Sequence, residues 1–136
     1  MDYETLKIKE YNYWGIYLYE NQYYLGRCVV WCKRENVIDF FDMTQEEREE
    51  FFTITKNLRD TLRKLFHPDL MNYASLANVV RHLHLHVIPR YKDKRTFEGF
   101  EFNDERWGKN YTSYNEEFKL PEDLMFKIRD TIKENL

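Results

Sequence analysis

The feature that most constrains the fold is a run in which three histidines alternate with aliphatic residues. It reads Arg81-His82-Leu83-His84-Leu85-His86-Val87-Ile88-Pro89-Arg90, and the whole chain has only four histidines. Alternation of polar with aliphatic residues predicts a half-buried β-strand, because successive side chains of a strand point to opposite faces. The three histidines should therefore share one face, while Leu83, Leu85 and Val87 point into the core.

The spacing of these histidines indicates the kind of ligand they suit. On a regular strand, neighbouring imidazoles stand about 7 Å apart and the outer two about 13 Å apart. Two neighbours could bind a metal ion, but the outer pair could not both reach one ion at bond lengths of about 2 Å. An extended anion such as a polyphosphate suits the row better. Imidazole can act as nucleophile, proton donor or hydrogen-bond donor near neutral pH.

The same run carries a family resemblance. Residues 82–88 match, without a gap, the histidine-triad pattern of three histidines separated by aliphatic residues, and Pro89-Arg90 is also common there. The chain resembles the HIT superfamily of nucleotide hydrolases and transferases, in the small branch that includes dinucleoside polyphosphate hydrolases. The resemblance runs from about residue 14 to residue 90. It implies an α+β fold with an antiparallel sheet of about five strands, a long helix packed on it, a C-terminal helix, and a homodimer.

The resemblance also implies a role for each histidine. His84 matches the family nucleophile, which attacks the α-phosphorus of a dinucleoside polyphosphate such as diadenosine tetraphosphate. Water then hydrolyses the nucleotidyl-imidazole and releases a mononucleotide. His86 matches a position that contacts the scissile phosphate and can protonate the leaving group, and His82 matches a residue that orients the nucleophile. Two alternatives stay open: a nucleoside phosphoramidate hydrolase, and a nucleotide-binding signalling module with weak catalysis.

Three asparagines are candidates for substrate binding. Asn78 stands four residues before the triad, where relatives often carry a glutamine that contacts phosphate, and it is equally apt as a turn residue. Asn72 loosely matches an asparagine that faces the site on the neighbouring strand. Asn21 would match a ribose-binding position only with a gap in the alignment, and an ordinary turn residue is favoured there.

Three longer side chains complete the candidate set. Arg27 stands where relatives carry an accessory histidine, and a second accessory histidine is replaced by Glu35. Arg27 and Arg90 could be permanent cations for a polyphosphate, although a surface position at a strand end is the more frequent fate of such an arginine. Trp107 lies in a Phe-x-Asp-x-x-Trp-Gly stretch that resembles the tail of some microbial relatives. It could shelter a second nucleoside or merely pin a surface segment.

Periodicity predicts the other elements. Strands are expected over 14–19, 23–33 and 70–76, with Gly26 as a bulge or a point of close approach. A helix should begin at Thr44, where Glu47 completes a capping box, and end before Pro68. Its apolar stripe is Phe51, Ile54, Leu58, Leu62 and Leu65. A closing helix after Pro121 should bury Leu124, Ile128 and Ile132. The aromatic segment 91–119 is predicted to be a functional loop, because aromatic content argues against disorder.

Length and composition restrict the remaining possibilities. The 136 residues favour one domain over 1–136, with a core at about 11–91 and the loop and C-terminal helix at 92–136. A net charge of −3 argues against broad nucleic-acid binding. No stretch is long and apolar enough to span a membrane. The acidic start lacks the apolar core of a signal peptide, and two cysteines do not make a disulfide framework, so a cytoplasmic location is expected.

The cysteines do not indicate a metal site. On a regular strand Cys28 and Cys32 would lie about 13 Å apart, which exceeds the reach of a disulfide. Buried thiols that pack as small apolar groups are the favoured interpretation. The sequence therefore predicts no bound metal and no tightly bound cofactor. It leaves open a divalent cation such as Mg²⁺ that arrives with the substrate phosphates.

Overall fold

The computed structural model describes residues 2–136 and shows an α+β fold built on one antiparallel sheet. The five strands lie in the order β1-β2-β3-β5-β4. They are β1 (Lys7–Glu10), β2 (Trp14–Leu18), β3 (Cys28–Cys32), β4 (Leu70–Ala74) and β5 (His84–Arg90), and the two helices are α1 (Gln45–Phe66) and α2 (Glu122–Asn135). The predicted fold class is thus confirmed. Neither helix is long and apolar enough to cross a membrane within the described part of the chain.

The long helix begins and ends where the sequence predicts. The Thr44 hydroxyl accepts a hydrogen bond from the Glu47 amide, and the Glu47 carboxylate accepts one from the Thr44 amide, which completes the capping box. At the other end His67 adopts a left-handed conformation before Pro68. The close approach at Gly26 is also confirmed. Its φ is +87°, and a Cβ there would lie 3.0 Å from the Phe66 ring.

The two faces of the sheet differ in chemistry. One face packs against α1 in an apolar core, to which the sheet contributes Trp14, Ile16, Leu18, Cys28, Val30, Cys32, Leu83, Leu85 and Val87. The alternate positions point the other way and include Tyr17, Val29, Trp31, His84 and His86. The predicted alternation of the histidine strand is therefore confirmed. The histidine face carries the polar and aromatic groups, so it is the face available for chemistry.

The predicted strands prove shorter than expected, and two of them also begin later in the chain. The strand expected over 23–33 begins at Cys28, because the Gln22 side chain stabilises a turn before it. That amide donates to the carbonyls of Tyr19 and Arg27, and its oxygen accepts from the Gly26 amide. The histidine strand begins at His84, and His82 lies just before it. These boundaries depend on side-chain contacts that alternation alone does not reveal.

The prediction that residues 91–119 form a loop without regular structure is partly wrong. It contains a hairpin of β6 (Arg95–Phe97) and β7 (Phe100–Phe102). Glu98 and Gly99 connect the strands. Both residues have positive φ, as the two central residues of a type I′ hairpin turn require. Residues 103–119, here named the tail, follow the hairpin without further strands or helices.

A buried ion pair anchors the tail to the sheet. Arg90 Nε lies 2.8 Å from an Asp104 carboxylate oxygen, and both side chains are nearly inaccessible. The remaining Arg90 nitrogens donate to the Asn72 side chain and to the carbonyls of Arg106 and Lys109. All of its donor groups thus face protein partners. Arg90 therefore serves the tail, and it is not a free cation for a polyphosphate as the sequence had suggested.

Candidate active site

A cavity of about 680 Å³ opens on the histidine face of the sheet. Residues from β2, β3, β4 and β5, from the connection between β4 and β5, and from the tail surround it. The lining residues that matter below are Tyr3, Tyr17, Tyr19, Trp31, Asn78, His84, His86 and Tyr111. Its volume lies within the range of about 300–1,000 Å³ that is usual for small-molecule sites. His86 lines the cavity, but His82 does not, and the Trp31 ring stacks on His82.

The middle histidine is hydrogen-bonded to the main chain just before its own strand. His84 is only 9% exposed, and its Nδ1 lies 2.6 Å from the main-chain carbonyl oxygen of His82. A carbonyl can only accept a hydrogen bond, so Nδ1 must carry the proton. The Nε2 atom of the neutral ring therefore keeps its lone pair. A histidine in this state is prepared to act as a nucleophile.

His82 and Trp31 form a stack beside His84. His82 Nε2 donates to the Cys32 carbonyl at 2.6 Å. The Trp31 indole stacks on His82 with ring centroids 4.2 Å apart and on His84 at 5.3 Å. His82 could therefore support His84 in two ways, by the hydrogen bond to its carbonyl and by its stack with Trp31. Sequence analysis missed Trp31, although pairing of β3 with β5 places it directly opposite His84.

The third histidine contacts a buried arginine. His86 Nδ1 lies 3.1 Å from Arg27 Nη2, and its ring is 5.3 Å from His84 and meets the edge of Tyr19 at 5.1 Å. Burial, with smaller contributions from the charges of Arg27 and His84, lowers the pKa of His86 from its usual 6.5 to about 3. The ring is therefore neutral at physiological pH.

The substrate-binding candidates separate into two groups. Asn78 lines the cavity, and Arg27 reaches its wall through His86. Asn72 accepts a hydrogen bond from Arg90, and Asn21 donates to the carbonyls of Asn115 and Glu116 in the tail. Trp107 is 36% exposed and is not among the cavity-lining residues. Substrate contact by any of these residues stays a prediction, and the geometry favours Asn78 over the other two asparagines.

Tyrosines contribute more to this site than the sequence suggested. From the sequence alone, the tyrosines near the N-terminus could stack on an adenine, but such a set more often fills a sheet face or a dimer interface. Tyr3, Tyr17 and Tyr19 line the cavity, and the tail adds Tyr111. Tyr17 and Tyr19 alternate with the buried residues of β2, and this periodicity is the signal that identifies their face. The position of Tyr111 has no comparable local signal.

The cysteines and the other metal-binding residue types form no metal site in this part of the chain. Both cysteines are free and buried, as predicted. Burial raises the pKa of Cys32 to about 11 and that of Cys28 further, so neither is a thiolate near neutral pH. Among residues 2–136, no group of three histidine, cysteine or acidic side chains could hold a metal ion.

Comparison with known proteins places this geometry among related folds. The family model of the HIT domain matches residues 24–93. An uncharacterized HIT-like protein of Mycoplasma genitalium is 28% identical over 92 residues, which cover 64% of this chain and 62% of that protein. The chain therefore spans less than two thirds of the length of this curated relative.

Solved structures show the same fold. A histidine triad protein of Sinorhizobium meliloti superposes with a TM-score of 0.81 at 21% identity, covering 96% of this chain and 89% of that one. A histidine triad protein of Bradyrhizobium japonicum gives 0.78 at 14% identity, with coverages of 95% and 88%. A HIT family protein of Bacillus anthracis is 26% identical over 64% of each chain, with a TM-score of 0.56.

Proposed function

This chain belongs to the HIT domain family, and from that premise we propose that it is a nucleotide hydrolase whose nucleophile is His84. The proposed substrate is a dinucleoside polyphosphate such as diadenosine tetraphosphate. His84 attacks the α-phosphorus, forms a covalent nucleotidyl-histidine, and water releases a mononucleotide. Because this reaction divides one displacement into two easier ones, it needs a nucleophile that is both unprotonated and fixed in orientation.

The observation that carries this proposal is the hydrogen bond from His84 Nδ1 to the His82 carbonyl at 2.6 Å. In the neutral ring it places the lone pair on Nε2 of His84, and His84 lines the cavity. Such an arrangement contributes by positioning, since the ring loses little orientational freedom when it reacts. A structural histidine on a solvated strand face would have no need of it.

The proposed reaction requires no proton from the enzyme. The Nε2 lone pair forms a P–N bond while the P–O bond to the polyphosphate breaks, and the electron pair leaves on a phosphate oxygen. In the second step a water oxygen attacks phosphorus, the P–N pair returns to Nε2, and the water proton passes to solvent. His86 stabilises the phosphorane-like charge by donating a hydrogen bond.

The aromatic wall supports a nucleoside as the group next to this phosphorus. Tyr17, Tyr19 and Trp31 line the cavity. Aromatic side chains stack on purine and pyrimidine rings with little regard to their hydrogen-bonding groups. The Asn78 amide at the rim could donate to a phosphate oxygen. A nucleoside phosphoramidate shares the nucleoside and the α-phosphorus, so phosphoramidate hydrolysis is the second candidate function.

Turnover of a small substrate panel tests the proposal. Purified protein is assayed against diadenosine polyphosphates of different bridge length and one adenosine phosphoramidate, with product separation by chromatography. We expect release of a mononucleotide from the polyphosphates, abolished in His84→Ala. Tight binding of nucleotides without turnover would instead support a signalling module and contradict the proposed hydrolase. Faster cleavage of the phosphoramidate would replace the first candidate with the second.

We also propose that the protein is a homodimer. Strand β4 lies at one edge of the sheet, and its Leu70 and Tyr73 are exposed. An exposed edge with apolar side chains is prone to pair with another chain. Light scattering at micromolar concentration and moderate salt should give the mass of two chains, and the mass of one chain would contradict this expectation.

A further inference from the structure

Arg27 is a buried cation whose guanidinium contacts His86 and also interacts with the Tyr114 side chain. Its side chain is 3% exposed, and its Nη2 lies 3.1 Å from His86 Nδ1. Its Nε and Nη1 atoms are buried without a hydrogen-bond partner. None of the ion pairs within residues 2–136 joins Arg27 to a carboxylate. A buried charge in this condition is costly, so the contact that it does make calls for an explanation.

Three tyrosine rings surround this guanidinium. The Arg27 Cζ atom lies 4.2 Å from the ring centroid of Tyr19 and 5.3 Å from those of Tyr111 and Tyr114. Cation–π contacts of this kind partly offset the cost of burial. Burial raises the pKa of Tyr114 to about 12, so its phenol supplies no counter-charge near neutral pH. The cage holds the cation in place and leaves its charge directed at His86.

The hydrogen-bond chemistry of arginine then fixes the tautomer of His86. A guanidinium has only donors and stays protonated in proteins, so His86 Nδ1 must be the acceptor. The single proton of the neutral ring must therefore lie on Nε2. This is the opposite tautomer from His84, whose Nδ1 carries the proton. At Nε2, the neutral His84 ring therefore has a lone pair, whereas the neutral His86 ring has an N–H donor.

We propose that Arg27 is a positioning residue that fixes His86 as a neutral Nε2–H donor and thereby restricts the site to leaving groups that depart without taking a proton. The inference rests on the proposed function, in which His84 attacks the α-phosphorus. It assigns Arg27 a role through His86. Direct contact of Arg27 with a polyphosphate would require the buried guanidinium to become accessible.

Among residues 2–136, no carboxylate forms an ion pair with His86 that would favour its protonated form. Arg27 faces it from the start of β3, Tyr19 from the end of β2, and His84 from its own strand. The other titratable groups around the shared cavity or the Arg27 cage include Tyr3, Glu4, Tyr17, Glu20, Tyr111 and Tyr114. Strand β4 places Ala74 opposite His86. The pKa of His86, lowered to about 3, agrees with this arrangement.

The consequence for substrates follows from where the electron pair goes. When the leaving group is a polyphosphate, the electrons of the broken P–O bond remain on an oxygen that is ionised at neutral pH. When it is an amine, the electrons of the broken P–N bond produce a strongly basic nitrogen unless a proton is supplied. Neutral His86 could supply that proton only by becoming an imidazolate. The Arg27–His86 pair therefore favours phosphoanhydrides and disfavours phosphoramidates.

A first experiment reads the tautomer without any substrate. Nitrogen-15 NMR of the imidazoles distinguishes the two neutral tautomers and the imidazolium of His86. In wild type we expect the Nε2–H tautomer with no titration between about pH 5 and pH 8. In Arg27→Met, the preference for the Nε2–H tautomer over the Nδ1–H tautomer should be lost and the pKa of His86 should rise, although burial still opposes protonation, and Arg27→Lys should keep most of the wild-type behaviour. A wild-type His86 that titrates near pH 6.5, or carries its proton on Nδ1, overturns the proposal.

A second experiment reads selectivity. The ratio of kcat/KM for diadenosine tetraphosphate to that for an adenosine phosphoramidate is measured in wild type, Arg27→Met and Arg59→Met. Arg59→Met is the matched control, since Arg59 lies on α1 and pairs with Asp60 at the surface. We expect the ratio to fall severalfold in Arg27→Met, because loss of the guanidinium charge raises the pKa of His86 and makes it a better general acid, while burial still opposes full protonation. The control should keep the wild-type ratio.

The two experiments separate failure of this inference from failure of the proposed function. Cleavage of neither substrate by wild type overturns the proposed hydrolase and the selectivity argument with it, while NMR still decides the tautomer. Equal loss of both activities in Arg27→Met, with His86 unchanged by NMR, shows a merely structural arginine and overturns the inference alone. If Arg27→Met fails to fold, the wild-type NMR titration and Arg27→Lys remain decisive.

Discussion

The sheet with its long helix and the tail stay folded for different reasons. The sheet and α1 share an apolar core in which residues such as Leu58, Leu83 and Val87 are fully buried. The tail adds single polar contacts, such as the Arg90–Asp104 pair and the Tyr24 hydroxyl on the Tyr111 carbonyl at 2.7 Å, to the ring contacts of Tyr114 and Phe118. Apolar packing distributes its free energy over many contacts, whereas a buried ion pair concentrates it in one place.

This difference separates chemistry from selectivity in the proposed enzyme. The nucleophile and its carbonyl partner belong to β5 and the residues just before it, so the core fixes them. The tail contributes Tyr111 and Tyr114, which enclose Arg27 and so bear on His86. Changes in the first region should remove catalysis, and changes in the second should alter stability, proton supply and leaving-group preference.

The largest effect is expected from His84→Ala. Removal of the nucleophile should lower kcat by several orders of magnitude, because the remaining groups only bind and orient. The fold should persist, since the side chain lies on the face opposite the apolar core. Turnover measurements and circular dichroism check both points. His67→Asn, at the left-handed end of α1, is the control histidine variant, and near-wild-type turnover in His84→Ala would contradict the mechanism.

The next effect concerns the anchor of the tail. Arg90→Met leaves Asp104 buried without its partner and should reduce the free energy of unfolding by about 3–5 kcal/mol. Arg59→Met removes one member of a surface pair and should cost only about 0–1 kcal/mol. Urea unfolding of both variants gives the comparison. Equal losses in the two variants would mean that the buried pair is not what holds the tail.

A smaller effect is expected in the pH dependence of stability. The pKa of His86 is about 3 in the folded protein and near 6.5 in the unfolded chain. Between these two pKa values, His86 is protonated in the unfolded state but not in the folded state. The free energy of unfolding should therefore fall as the pH drops below about 6.5. Subtracting the curve of His86→Gln isolates this contribution from that of the carboxylates. Parallel curves for wild type and His86→Gln between pH 7.5 and pH 5 would contradict it.

The smallest effect is expected from chelation. Both cysteines are protonated and buried, and the three histidines are committed to other partners, so removal of metal should leave the unfolding midpoint unchanged. Metal analysis of chelator-washed protein should find no stoichiometric metal. A requirement for Mg²⁺ in turnover is compatible with this expectation, because the ion can enter with the substrate phosphates. Retained zinc near one equivalent per chain would contradict it.

Local signals in the sequence were sufficient for the core. The capping box at Thr44 and Glu47, the apolar stripe of α1 and the alternation along residues 82–88 each depend on neighbours within one element. The contacts that complete the site do not. Arg27 meets His86 across 59 positions, and Arg90 meets Asp104 across 14. Such pairs depend on how β3, β5 and the tail pack together, and no periodicity in the sequence predicts them.

The same reasoning explains the errors and the predictions that stay open. The hairpin β6–β7 was missed because each strand has three residues, too few to show a period. Asn21, a candidate ribose ligand, contacts the tail instead, which only the path of residues 103–119 could reveal. The homodimer, the cytoplasmic location and the single-domain extent stay predictions, because they concern partners, compartments and boundaries outside the contacts of this chain.

Direct capture of the covalent intermediate tests the central claim. Protein is mixed with diadenosine tetraphosphate for milliseconds, quenched in alkaline denaturant, digested and analysed by mass spectrometry. The account predicts one nucleotidyl group on the peptide that contains residues 82–88, located at His84 and missing from His84→Ala. Mononucleotide formed within the quench time without a nucleotidyl group on His84, or with one on another residue, would contradict it.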